Sequence, residues 1–188
     1  MEPSQSRPES ELVFQQAVEG LFRVGLRGKV TPELQSRLRN AGLDLFRPLE
    51  PAYPRAAWNQ FIRITAETLW PEDPPERAYH ALGRQLLIGY SATLIGKALA
   101  GILRLIGPRR TLDRMTHNFR SGGNYNVIRV THEGPREALL WMNEPYLHPS
   151  YVAGILDAAL ELAGAPQIDI QVHARDPEGC TYRIRWGS

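Results

Sequence analysis

The first half of the chain carries apolar residues at helical spacing. Over residues 12 to 26 they recur every three or four positions, as on the buried side of an amphipathic helix. Thr31 and Pro32 are typical of the N-cap and first turn of a second helix, which Gly42 ends. After a proline-broken loop, the same spacing predicts a third helix over residues 55 to 69.

A fourth and longer helix is predicted over residues 75 to 107, and Gly107-Pro108 then starts a fifth helix that runs to about Phe119. The long helix contains the most hydrophobic stretch of the chain, LLIGYSATLIGKALAGILRLIG. A membrane-spanning helix needs about 20 consecutive apolar residues. The uncharged run over residues 85 to 96 is only twelve residues long, and Lys97 would lie near the bilayer centre. This predicts a buried helix and no membrane span. Its glycines mark either a close neighbour or room for a ligand, and we favour the neighbour.

Beyond residue 124 the apolar spacing changes from the helical period to alternation. Strands are predicted over residues 125 to 131 and 138 to 142, a helix over 149 to 163, and strands near 168 to 172 and 182 to 186. Strands that follow a set of helices are typical of the α+β class. We therefore expect an N-terminal bundle of about five helices, followed by a ββαββ antiparallel sheet unit.

Length and composition favour one globular domain. With 43% apolar and 22% charged residues, residues 12 to 188 can form a single α+β domain, preceded by a disordered lead over residues 1 to 11. The lead lacks the apolar run of a signal peptide, so a cytoplasmic location is expected. A net charge of +2 is too balanced for a non-specific nucleic-acid binder. The single cysteine, Cys180, excludes an intramolecular disulfide and is expected to pack as a small hydrophobe.

The polar residues form no recognisable catalytic frame. The histidines fall in different predicted elements and match no metalloprotease or hydrolase motif; they are His80, His117, His132, His148 and His173. There is also no phosphate-binding glycine loop. The chain is therefore expected to be non-enzymatic, with no metal and no cofactor.

One cluster of polar residues supports an alternative function, the binding of an anion. Arg110 and Arg114 stand four apart on one predicted helix, and Arg120 and Asn124 lie at the Gly-Gly stop that follows. Arginine forks beside glycine backbone can bind a phosphate or another anionic signal, such as a nucleotide. A charged helix that ends before the sheet explains the same residues.

Several stretches resemble an uncharacterised family of proteins that is expanded as paralogues in myxobacteria. They run in the right order and cover nearly the whole chain: AVEGLFR, YPRAAWNQF, YHALGRQLLIGYSATLIG and LIGPRRTLDRMTHNFRSGGNY. No biochemical function comes with this resemblance. More distantly, the order of elements is similar to a superfamily that joins haem-NO-binding domains, vinyl-reductase-like domains and small TRAPP tethering subunits. That resemblance implies sensing of a small molecule or acyl chain, often with dimerisation.

The resemblance can be tested for haem at single residues. The haem-binding branch has a proximal histidine on a helix before the hairpins and a Tyr-x-Ser-x-Arg clamp for the propionates. His117 is the candidate for the histidine, although it stands much closer to the clamp than in that branch. Tyr125 and Arg129 have the clamp spacing, but Val127 occupies the serine position. This pattern suits an apolar ligand better than haem.

These observations predict a ligand-sensing or protein-interaction module. A small apolar molecule would bind between the long helix and the sheet, against Tyr90, Leu94 and Trp141, although ordinary core packing explains all three. The alternative is the anionic signal at the arginine cluster. The expected partners are the small apolar ligand and a second copy or another protein, without nucleic acid.

Overall fold

Helices dominate the first two thirds of the chain and a sheet closes it, in a computed structural model that describes residues 10 to 187. The helices are α1 (Gln15–Glu19), α2 (Pro32–Asn40), α3 (Arg55–Leu69), α4 (Pro75–Ala92), α5 (Leu94–Asp113), α6 (Met115–Arg120) and α7 (Pro149–Leu162). The strands are β1 (Leu12–Phe14), β2 (Ala52–Pro54), β3 (Ile128–Gly134), β4 (Glu137–Met142), β5 (Asp169–Arg175) and β6 (Cys180–Arg185). This order confirms the predicted α+β class and its ββαββ unit.

The start of the described chain differs from the prediction of a single helix over residues 12 to 26. β1 pairs antiparallel with β2, and α1 continues as a π-helical segment, Gly20–Gly25. The pairing depends on a segment some forty residues away in sequence, which helical spacing cannot reveal. Of the predicted disordered lead, residues 1 to 9 lie outside the described residues, whereas Glu11 pairs with Arg55.

The predicted long helix over residues 75 to 107 is wrong, because the chain turns by 102° between α4 and α5. Thr93 has an extended backbone, with ψ 166°, and its hydroxyl accepts a hydrogen bond from Gly96 N at 3.1 Å. Thr93 therefore acts as the N-cap of a new helix. The predicted helix break at Gly107-Pro108 is correct, because Gly107, with φ 76°, interrupts the helical backbone of α5.

The second half follows the predicted elements closely. β3, β4, β6 and β5 form an antiparallel sheet in that order. Alternate residues of β4 and β6 are buried in the core: Ala138, Leu140, Met142, Cys180, Tyr182 and Ile184. The Tyr182 hydroxyl donates to the carbonyl oxygen of Pro149 at 3.2 Å, which places this face of the sheet against the start of α7.

The glycines of α4 admit neighbouring backbone. A Cβ atom on Gly83 would overlap the carbonyl oxygen of Tyr151 on α7. One on Gly89 would overlap the carbonyl oxygen of Gly20. These two positions of α4, of which Gly89 belongs to the hydrophobic stretch, serve close helix packing, as we favoured, and leave no room for a ligand there. Gly101, on α5, faces open space.

Among residues 10 to 187, no helix is by itself long and apolar enough to cross a membrane. The bent pair of α4 and α5 reaches that length and hydrophobicity only when the two helices are taken together.

Candidate ligand site

A small apolar cavity lies where α1, α4, α5, α6 and α7 meet. Its volume is about 80 Å³. The wall includes aliphatic and aromatic side chains from four of these helices: Leu86, Leu99, Leu103, Met115, Phe119 and Ile155. A single water needs roughly 10–15 Å³ of such space, so this cavity has room for a small molecule. Its apolar wall disfavours water.

The polar pole of this cavity is Asn118. The residue is 8% exposed, and neither Oδ1 nor Nδ2 of its carboxamide has a hydrogen-bond partner among the described residues. Beside it, the Tyr90 hydroxyl donates to Ser121 Oγ at 2.9 Å, and Ser121 Oγ donates to the carbonyl oxygen of Asn118 at 2.6 Å. A buried polar group without a partner costs about 1–3 kcal/mol. A carboxamide retained at that cost is a candidate recognition group.

A second cavity, of about 70 Å³, adjoins the first across Leu86 and Phe119, which line both. It reaches the sheet at Met142 and has a more polar wall. Tyr151 lines it with a hydroxyl that has no hydrogen-bond partner among the described residues. Complete burial raises the pKa of this phenol well above its ordinary value, so the hydroxyl keeps its proton.

A buried arginine contacts two residues that line the second cavity, Tyr125 and Glu144. Arg55 is 6% exposed, and its guanidinium lies 3.3 Å from the Glu144 carboxylate and 3.2 Å from that of Glu11. It also donates to the carbonyl oxygen of Asn143 at 2.6 Å and lies 4.4 Å from the centre of the Tyr125 ring. Burial raises the pKa of Glu144, although the positive charge of Arg55 opposes the shift. This network joins the N-terminal strand, α3 and the end of β4, so its role is structural.

The predicted pocket residues are dispersed. Tyr90 lines the first cavity. Leu94 is 89% exposed, because the bend at Thr93 turns it outward. Trp141 lies on the outer face of β4, where its ring is 4.6 Å from the Arg129 guanidinium. Leu94 and Trp141 therefore do not line the first cavity, which lies among helices and away from the predicted position between a long helix and the sheet.

The arginine cluster is only partly assembled. Arg110, Arg114 and Arg120 are exposed. Asn124 is engaged elsewhere: its Oδ1 accepts from Leu12 N at 2.8 Å and its Nδ2 donates to the carbonyl oxygen of Ser10 at 3.0 Å. The asparagine therefore holds β1 in place and is not available to an anion.

Of the residues that the resemblance implied for haem, Tyr125 lines the second cavity, whereas His117 and Arg129 line neither cavity. His117 is exposed on α6, and Arg129 lies outside the sheet over Trp141. Tyr125 lies under the Arg55 guanidinium. No histidine in the described chain lines either cavity. The described residues also contain no group of three or more His, Cys, Asp or Glu placed to hold a metal. The arrangement does not fit haem held by these residues.

The family model described as "Protein of unknown function (DUF2378)" matches residues 11–187. The chain belongs to this family. The match agrees with the resemblance to an uncharacterised family, and it attaches no activity to the DUF2378 chain. No curated protein sequence gives a significant match.

The fold of this DUF2378 chain is similar to that of H-NOX domains. One relative is an H-NOX protein from S. oneidensis in the Fe(II)NO ligation state, with TM-score 0.69, 11% identity, and coverage of 92% of this chain and 98% of that chain. Another is an oxygen-binding H-NOX domain related to soluble guanylate cyclases, with TM-score 0.68, 10% identity, and coverage of 91% and 93%. At this identity the likeness shows the fold alone, and it confirms the predicted similarity to the haem-NO-binding fold.

Asn118 was missed by the sequence analysis. A weak signal was present: Thr111, Met115 and Asn118 follow one another at helical spacing, so a polar residue stands on the buried side of a short helix. Whether it borders a cavity depends on how α5 and α7 close over it.

Proposed function

We propose that this DUF2378 domain is a non-enzymatic sensor that binds a small, mainly apolar molecule with one polar group in the cavity beside Asn118. The observation that carries the proposal is the buried carboxamide of Asn118, which has no partner among the described residues and lies in a mainly apolar wall. Ligand sites of this kind combine apolar surface with a few placed polar groups.

The ligand's polar group follows from the chemistry of the carboxamide. Asn118 offers one acceptor and two donor hydrogens. A protonated carboxylic acid or a primary amide presents a donor and an acceptor side by side and satisfies both ends. The apolar remainder would contact Leu103 and Met115. The volume of about 80 Å³ suits a short chain. Displacement of Phe119 would join the two cavities and admit a longer one.

A sensing role is supported by the elements that form the wall. Leu99 and Leu103 come from α5, which meets α4 at the sharp bend of Thr93. A ligand that contacts both helices would favour one relative arrangement of them, and binding shifts a population only through such a differential contact. The H-NOX relatives include a domain described as oxygen binding. The proposed ligand of this chain is not haem, because the residues that the resemblance implied for haem do not fit that group.

The test is a thermal-shift and native mass spectrometry screen with short-chain carboxylic acids and primary amides as probes. We expect a rise in Tm and a stoichiometric adduct with the wild type. Asn118→Leu removes the polar pole and should abolish both. Asn59→Leu is the matched control, because Asn59 is also a buried asparagine with an unpartnered Oδ1 within the described chain, yet it lines neither cavity. An absence of any effect on the wild type, or equal effects on Asn118→Leu, would overturn the proposal.

The anionic signal at Arg110, Arg114 and Arg120 stays a prediction, weakened by the engagement of Asn124. A thermal-shift panel of nucleotides on the wild type and Arg114→Ala tests it, and an unchanged midpoint across the panel removes it. A homodimer likewise stays a prediction, as does the single domain over residues 12 to 188.

A further inference from the structure

The outward face of α5 is unusually apolar. Leu94 and Leu105 are 89% and 88% exposed, and Ile95 and Ile102 are also exposed. At 100° per residue, Leu94, Ile102 and Leu105 fall on one side of the helix with Ala98 between them. Single exposed apolar residues are common, but a continuous stripe of this kind marks a contact surface. We call the side chains of Leu94, Ile95, Ala98, Ile102 and Leu105 the α5 stripe.

The opposite side of α5 is already used. Gly96, Ala100 and Leu103 are buried against the rest of the fold, and Leu103 lines the cavity. The helix is therefore apolar on both sides, and only the inner side is covered by described residues. The α5 stripe is separate from the ligand site, since none of its members lines the cavity.

Positive charges flank the stripe along one edge. Lys97 and Arg104 are exposed and seven residues apart, so they stand on one row of the helix next to Leu94 and Leu105. No acidic residue occurs over residues 94 to 112 of this helix. The first one, Asp113, is held by His132 at 2.6 Å.

We propose that the α5 stripe docks in the plane of an anionic membrane surface. A helix with an apolar face and basic residues at its border lies in the headgroup region, with its leucines in the acyl boundary. Lys97 and Arg104 can lay their aliphatic stems along the apolar face and place their charges among lipid phosphates. A second copy of the chain is the poorer partner, because its own α5 stripe carries no carboxylate to pair with these cations.

The test is flotation of the full chain with vesicles of phosphatidylcholine alone and of equimolar phosphatidylcholine and phosphatidylglycerol. We expect the wild type to float with the anionic vesicles and to be released by high salt, since salt screens surface charges. Leu94→Asn combined with Leu105→Asn should weaken binding at least about tenfold. Lys97→Gln combined with Arg104→Gln should weaken binding to the anionic vesicles by about ten- to thirtyfold.

Two control variants lie elsewhere on the surface. Phe46→Asn replaces an aromatic side chain that is 76% exposed, and Lys29→Gln removes an exposed cation. Both should float like the wild type, and an unchanged Tm shows that each variant is folded. A wild type that does not float, or leucine variants that float equally well, would overturn the proposal. The proposal would also be overturned if the wild type sediments as a dimer and the leucine substitutions dissociate that dimer. The residues of the α5 stripe lie outside the cavity. The result of the vesicle flotation is therefore independent of the thermal-shift and mass spectrometry screen for a cavity ligand.

Discussion

Gly83 on α4 and Gly154 on α7 form a reciprocal contact at the crossing of the two helices. A Cβ atom on Gly83 would overlap the carbonyl oxygen of Tyr151, and one on Gly154 would overlap the carbonyl oxygen of His80. Each glycine thus makes room for the backbone of the other helix. The crossing places the start of α7 between α4 and the sheet, and α7 in turn supplies Ile155 to both cavities.

The first prediction concerns this crossing. Gly83→Ala should lower the free energy of unfolding by about 3 kcal/mol or more, because the new Cβ meets rigid backbone and the helices must move apart. Gly101→Ala is the matched control, since its Cβ would meet open space on an exposed turn of α5. That variant should be more stable by about 0.5–1 kcal/mol. Urea denaturation measures both, and a similar effect of the two substitutions would contradict the close approach.

The second prediction concerns the buried arginine. Arg55→Met leaves the Glu144 carboxylate buried without its cation and should cost about 3–5 kcal/mol. The double variant Arg55→Met with Glu144→Gln removes both charges and should recover most of this loss. Arg63→Met is the control on the same helix, since Arg63 is exposed, and should change stability by about 0.5 kcal/mol or less. Failure of the second substitution to rescue the first would show that the pair is not coupled.

The third prediction is a pH dependence from Glu144. Burial raises the pKa of its carboxyl above 4.5, so folding favours the protonated form. The stability from this group is complete below pH 4.5 and is lost as the pH rises through the folded-state pKa.

Glu144→Gln isolates this effect because glutamine has the same shape and does not ionise. Between pH 4.5 and neutral pH the wild type should lose stability relative to this variant. Urea denaturation across the range gives the difference at each pH. A constant difference, or one that changes in the other direction, would be inconsistent with the raised pKa.

The fourth prediction concerns Cys180, which is 1% exposed and whose thiol pKa is raised by burial. The raised pKa suppresses the thiolate, which is the reactive form, and the low exposure keeps a reagent away from the sulfur. A thiol reagent such as DTNB should react slowly with the folded protein and rapidly, at one thiol per chain, in denaturant. Rapid labelling under native conditions would mean that the end of the sheet opens.

The elements with local signals were the ones that sequence reasoning found. α3 follows Pro54, and α7 begins with Pro149 after the N-cap His148. The start of each helix can therefore be predicted from the residues next to it in sequence. The bend at Thr93 was not predicted, because a threonine within an apolar run is compatible with a continuous helix. Its role as a cap depends on α5 turning away from α4, and that is decided by packing.

Composition and periodicity determined the α+β class, the ββαββ order and, for residues 10 to 187, the lack of a single helix able to span a membrane, because these depend on residue types at fixed spacing. Only the tertiary structure decided where the polar groups went. Arg55 meets Glu144 across 89 residues of chain, and Asn118 borders a cavity closed by four other helices. Leu94 was expected to line the pocket and instead faces outward. In each case the side chain's role follows from which distant element packs beside it, and one-dimensional spacing does not contain that information.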